Sequence, residues 1–168
     1  MTISFYDASV GAYLQILDST MNVLEKGAAS GLDPATIVQT RLHDNMLPFH
    51  FQIASVCHHS WGAMNGMRDG RFAPPSSAED KDYAGLQAML NEARDGVASY
   101  DEAGANALAD GSLIFALGER ELPFSNKNFL LTFSLPNFYF HAATTYDILR
   151  MLGVELGKPD FLGRLKIG

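Results

Sequence analysis

Apolar residues that recur at helical steps are the feature that most narrows what this chain can fold into. Between Ser4 and Lys26, the residues Val10, Tyr13, Leu14, Leu17, Met21 and Leu24 form such a series, with Asp18, Asn22 and Glu25 between them. Positions three and four apart share one face of an α-helix, so this stretch is an amphipathic helix with a core-facing stripe. Gly27 and a turn at Gly31 are expected to end it. Asp33-Pro34 reads as an N-cap followed by proline at the first helical position, opening a short helix through Leu42. A second long helix is expected from near Asn45, with Pro48 in its first turn. It carries Phe49, Ile53, Val56, Cys57, Met64 and Met67 until Gly70 stops it. After a loop over Phe72–Ser77, Ser77 and Asp80 resemble a helix start. The third helix bears Tyr83, Leu86, Met89, Leu90, Ala93 and Val97 and runs to about Tyr100.

Asp101–Gly111 is a connector with one helical turn, and beyond it the period changes. Ser112–Leu117 and Arg120–Phe124 read as two short strands around Gly118-Glu119, a β-hairpin over about 112–124. A lone hairpin is marginal in water, so it must pack on the helices. A last long helix is expected from Asn126 through Arg150 to Gly153, kinked at Pro136, with an irregular tail from Val154 to Gly168. The fold class is mainly α: a four-helix bundle with a small inserted β-hairpin, in one domain over residues 1–168.

Charge and cysteine content remove several functions. With one cysteine, Cys57, the chain has no internal disulfide and no Cys-rich metal site. A net charge of −7 with 12 Lys and Arg against 19 Asp and Glu argues against nucleic acid as a partner. No apolar run approaches the roughly 20 residues of a membrane helix, and the first residues lack a signal-peptide pattern. The expectation is a soluble cytoplasmic protein with no membrane partner.

The histidines are where chemistry is expected. His43, His50, His58 and His59 fall in or beside the second long helix, and His141 lies in the last. Facing helices of a bundle can aim such side chains into one cavity. His58 and His59 are adjacent, hence about 100° apart on an α-helix, and do not both suit one site. The helical chelate spacing of four is absent, because Thr145 follows His141 at that step. Acid/base chemistry asks less: one imidazole titrating near neutrality, with a polar neighbour holding its tautomer. His141 fits, with Asn137, Thr144 and Thr145 one turn away as candidate orienters. Phe133, Phe138, Tyr139, Phe140 and Tyr146 surround it in sequence, a wall suited to a flat apolar ligand. The bland alternative for these aromatics, and for Trp61, is core packing. Cys57 lies on an apolar face and reads as a buried thiol.

Several segments together resemble a known family. They are Ser4-Phe5-Tyr6-Asp7-Ala8-Ser9, Met46-Leu47-Pro48-Phe49 with Gln52, Leu135-Pro136-Asn137-Phe138-Tyr139-Phe140-His141, and Thr144-Thr145-Tyr146-Asp147-Ile148-Leu149-Arg150. With Gly153-Val154 and Asp160-Phe161-Leu162 they make the chain similar to domain of unknown function nineteen ninety-three (DUF1993), related to the DinB/YfiT-like bundles. The resemblance implies a DinB-like four-helix bundle with an inserted hairpin, packed as a homodimer. DinB-like enzymes hold a divalent metal through three histidines; of those positions His141 carries over, and Thr145 stands where a second last-helix histidine would be. The His58-His59-Ser60-Trp61 cluster and the histidines at 43 and 50 depart from the family pattern.

Together these readings point to a metal-independent acid/base isomerase or cyclase on a hydrophobic, oxygenated small molecule, of the polyketide-tailoring type. His141, His58 and His59 are the catalytic candidates; Trp61, Phe138, Tyr139, Tyr146, His50 and Asn137 are the substrate-binding ones. No metal or other cofactor is expected on this reading. The first alternative is a divalent-metal thiol transferase or hydrolase using His50, His58 or His59 with His141. The second is a non-catalytic dimeric binding or stress protein.

Overall fold

Four long helical runs form the bundle, and their ends are set by contacts as much as by sequence. The structure, a computed structural model, describes residues 2–76 and 78–167. Helix α1 (Ala12–Ala29) continues directly from a π-helical turn, Asp7–Gly11. Gly27 does not end it. A Cβ at Gly27 would overlap the Tyr83 hydroxyl and meet Leu149 at 3.2 Å. The bare position lets that hydroxyl donate to the Leu24 carbonyl at 2.7 Å. The helix stops before Gly31, whose φ of +80° suits a residue without Cβ.

The Asp33 carboxylate caps α2 (Pro34–Gln39), accepting from the Ala35 and Thr36 amides at 3.3 and 3.2 Å. Helix α3 (Phe49–Cys57) begins later than expected, with Pro48 as its extended N-cap rather than inside the first turn. A residue preceding proline avoids helical angles, so Leu47 cannot extend the helix back toward Asn45. The run continues through a second π turn, His58–Gly62, into α4 (Ala63–Asp69), and left-handed Gly70 ends it at φ +77°. Ser77 lies outside the described residues. Asp82 caps the third run instead, accepting from the Gly85 amide at 2.8 Å, and α5 spans Tyr83–Ala98. The expected single turn is α6 (Glu102–Ala107), capped by Asp101.

The hairpin is β2 (Ser112–Leu117) and β3 (Arg120–Ser125), paired antiparallel. A third strand joins it: β1 (Arg71–Phe72) pairs parallel to β2, giving the order β1-β2-β3. Pro123 is tolerated because β3 is an edge strand. The last run is α7 (Asn126–Phe129), a third π turn at Leu130–Ser134, and α8 (Leu135–Met151). The irregularity expected as a kink at Pro136 is this π turn, just upstream of a ring that has no N–H to donate. The tail is not wholly irregular. Helix α9 (Lys158–Leu162) packs on α1, its Asp160 carboxylate accepting from the Gly157 amide at 2.8 Å and from Lys26 at 2.7 Å.

The core at α1, α3 and α5 mixes aliphatic side chains with the ring pairs Phe49–Tyr83 and Tyr13–Phe138, and under the sheet it is aromatic, where Phe72, Phe115, Phe124, Phe129 and Phe133 pack ring on ring. A buried hydroxyl chain ties three runs together. Tyr13 O–H donates to Ser134 Oγ at 2.8 Å, and Ser134 donates to the His59 carbonyl at 2.7 Å. Two π turns thus meet at this point, and such turns recur at functional sites because they re-aim side chains. Among the described residues, no helix is long and apolar enough to cross a membrane.

Candidate functional site

Three of the five histidines converge where the second π turn faces the last helical run. His59 lies among four rings: His58 at 5.6 Å, Phe72 at 5.7 Å, Phe133 at 5.6 Å and His141 at 6.0 Å. Its plane is 12° from that of His141, so the two imidazoles stack. His58 stacks on Phe72 at 4.3 Å. Both neighbours therefore reach one cluster, against the expectation from α-helical spacing, on a segment wound as a π turn. Gly62 keeps the space open, since a Cβ there would sit 3.0 Å from His58 Nδ1.

Hydrogen bonds fix two of the three tautomers. Gln52 Nε2 donates to the Leu47 carbonyl at 2.7 Å, which places Oε1 toward His141. His141 Nδ1 lies 2.7 Å from that oxygen and must carry the proton, leaving Nε2 with a free lone pair. His58 Nε2 sits 2.6 Å from the Ala73 carbonyl and is the donor there, so its Nδ1 is the unprotonated nitrogen. His59 Nδ1 is buried without a partner.

Burial holds all three rings in the neutral form. His59 is pushed down to about 3, first by burial and then by the charges that His58 and His141 would carry. Burial lowers His141 to about 4, and lowers His58 against a smaller opposing effect of its Ala73 hydrogen bond. At neutral pH the cluster is therefore uncharged and rich in lone pairs.

The remaining candidates are scattered. Phe138 is fully buried, its ring edge-on to Tyr13 at 5.0 Å, so it belongs to the core. Tyr146 packs on Phe161 of α9 at 6.0 Å, away from the histidines. Trp61 lies over Gly96 beside Asn65, Arg68 and Tyr100, on a different face of the second run. Asn137 donates to the Phe133 carbonyl at 2.7 Å rather than to His141. Thr144 and Thr145 likewise bond the carbonyls of Phe140 and His141, so none of the three orients the His141 ring. Tyr139 is partly exposed and packs on Phe138. His50 lines a separate cavity. The residue that sequence reasoning passed over is Gln52: it stood only inside the Met46–Gln52 segment, and its partner lies 89 positions away. Phe51 and Phe140 flank His141 at 6.0 and 5.2 Å, and Phe140 is exposed.

The donor set does not fit a three-histidine metal centre. Thr145, where a second last-helix histidine would stand, spends its hydroxyl on a backbone carbonyl. Among the described residues, no three His, Cys, Asp or Glu side chains cluster closely enough to hold a metal ion.

The bundle with its inserted sheet is a DinB-like fold. It is similar to the crystal structure of a DinB family member protein from Shewanella denitrificans, with a TM-score of 0.78 and 21% identity over 97% of this chain and 94% of that one. No curated protein matches the chain. The family model "Domain of unknown function (DUF1993)" matches residues 5–162, and the chain belongs to that family.

Proposed function

We propose that the protein is a metal-independent acid/base catalyst, an isomerase or cyclase, acting on a hydrophobic oxygenated small molecule with His141 as the base. The observation that carries this reading is the 2.7 Å contact between His141 Nδ1 and Gln52 Oε1. It holds the ring in one tautomer and leaves Nε2 as the basic atom, which is what general base catalysis needs. The lowered pKa keeps that lone pair available at neutral pH, at the cost of a weaker base. Nε2 takes a proton from a carbon beside a carbonyl, and Gln52 Oε1 stabilises the resulting imidazolium through Nδ1–H. Returning the proton to a different atom completes an isomerisation. Phe51 and Phe140 offer the substrate apolar contact, and the stacked His59 excludes water from the inner face of the ring.

The test is exchange of carbon-bound hydrogen for deuterium in D₂O, across aromatic and lactone-forming ketones, with and without a chelator. Exchange that resists the chelator and is lost in His141→Ala supports the assignment. Exchange that persists in His141→Ala overturns it. Loss on chelation with recovery on adding a divalent metal would favour the metal-dependent alternative.

A further inference from the structure

A cavity of about 460 Å³ opens at the start of α3, apart from the histidine cluster. Its apolar wall is Leu47, Pro48 and Phe51, and its polar groups are Gln39, Arg41, His50 and Glu79. Phe51 separates the two places: it lines this cavity and packs edge-on to His141.

Three features mark the cavity as a place for a ligand. First, it holds opposite charges that are not spent on one another. Arg41 Nη1 is anchored on the Met46 carbonyl at 2.6 Å, and among the described residues neither Arg41 nor Glu79 forms an ion pair. Second, no side chain caps α3: the Thr40 carbonyl takes the Phe49 amide at 2.9 Å, and the positive end of the helix lies beside this space at Pro48 and His50. Third, His50 is 3% exposed and its Nδ1 has no partner. A buried polar atom of that kind calls for a partner from outside the chain or a fixed tautomer. With no acceptor at Nδ1, the proton resides on Nε2 and His50 is a neutral donor. Burial keeps it neutral, and Glu79 and Arg41 act on it in opposite senses, so both charges reach the ring.

We propose that this cavity binds a small zwitterion of the α-amino-acid type with an apolar side chain. Arg41, with the positive end of α3 beside it, takes the carboxylate, Glu79 takes the ammonium group, and Leu47, Pro48 and Phe51 take the side chain. A phosphate dianion would meet Glu79, and a plain amine would meet Arg41, so each charge rejects the ligand that lacks its counterpart.

The test is calorimetric titration of the full chain with L-leucine, 4-methylpentanoate and 3-methylbutylamine, which share the side chain and differ in charge. Leucine should bind, and each truncated analogue should bind at least about tenfold more weakly, since a charge-assisted contact is worth about 1.4 kcal/mol or more. Arg41→Gln should weaken leucine and the acid but not the amine; Glu79→Gln should weaken leucine and the amine but not the acid. His141→Ala should leave leucine binding unchanged, which separates this site from the proposed catalytic one. The proposal is overturned if leucine fails to bind at about 10 mM, or if the acid or the amine binds as well as leucine. The analogue series on the unaltered protein decides this without any variant.

Discussion

Replacing His59 by phenylalanine isolates what a buried neutral imidazole does to stability. In the folded protein burial, and then repulsion from His58 and His141, hold this ring near 3, against an ordinary value of 6.5. Between those values the unfolded chain binds a proton that the folded chain refuses. Acid therefore favours unfolding: the contribution is complete above 6.5 and is lost as pH falls toward 3. At about pH 5, some 1.5 units below the unfolded value, the loss is about 2 kcal/mol at about 1.4 kcal/mol per unit. His141, held near 4 but partly open to water, adds a smaller loss of the same sign. Phenylalanine suits the site, whose walls are Phe72, Phe133 and two imidazoles, and it removes the unpartnered Nδ1. Urea unfolding followed by circular dichroism near pH 7.5 and near pH 5 reads the difference. The unaltered protein should lose about 2 kcal/mol more than His59→Phe across that interval, and the variant should be no less stable at the higher pH. Equal losses in the two proteins would refute a buried, neutral His59.

Two further outcomes follow from the same contacts. Gln52→Glu puts a carboxylate where Oε1 now lies 2.7 Å from His141 Nδ1. The acid limb of the deuterium-exchange profile should then move up from about 4 by about 1–3 units; a limb that stays put would remove Gln52 from the mechanism. Gly96→Ala sets a methyl group into the Trp61 indole, which must shift, at about 1–3 kcal/mol of stability. The single tryptophan reports that shift by fluorescence while exchange is unaffected, and a selective loss of exchange would return Trp61 to the substrate site.

The long helices were legible because their signal is local. A stripe such as Val10, Tyr13, Leu17 and Leu24 repeats with the helix itself, and Asp33 before Pro34 is a cap wherever it occurs. The hairpin at Ser112–Ser125 was legible for the same reason, through its change of period. Strand β1 was not, since two residues carry no period and only the neighbouring β2 makes them a strand. Gly27 looked like a helix end because glycine often is one; what fixes it is the approach of Tyr83 from another helix.

The candidate site divides along the same line. The sequence determined that histidines and aromatic residues would crowd the second and last helical runs, since composition along a chain is independent of how it packs. Tertiary structure alone decided which of them meet. The π turn at His58–Gly62 carries two adjacent imidazoles into one cluster that an α-helix would have split by about 100°. The packing of α3 on α8 brings Gln52 to His141 across 89 residues, while Trp61 and Tyr146 turn to other neighbours. A propensity is set by a few adjacent residues, whereas a hydrogen bond between distant side chains exists only once every helix between them has found its place.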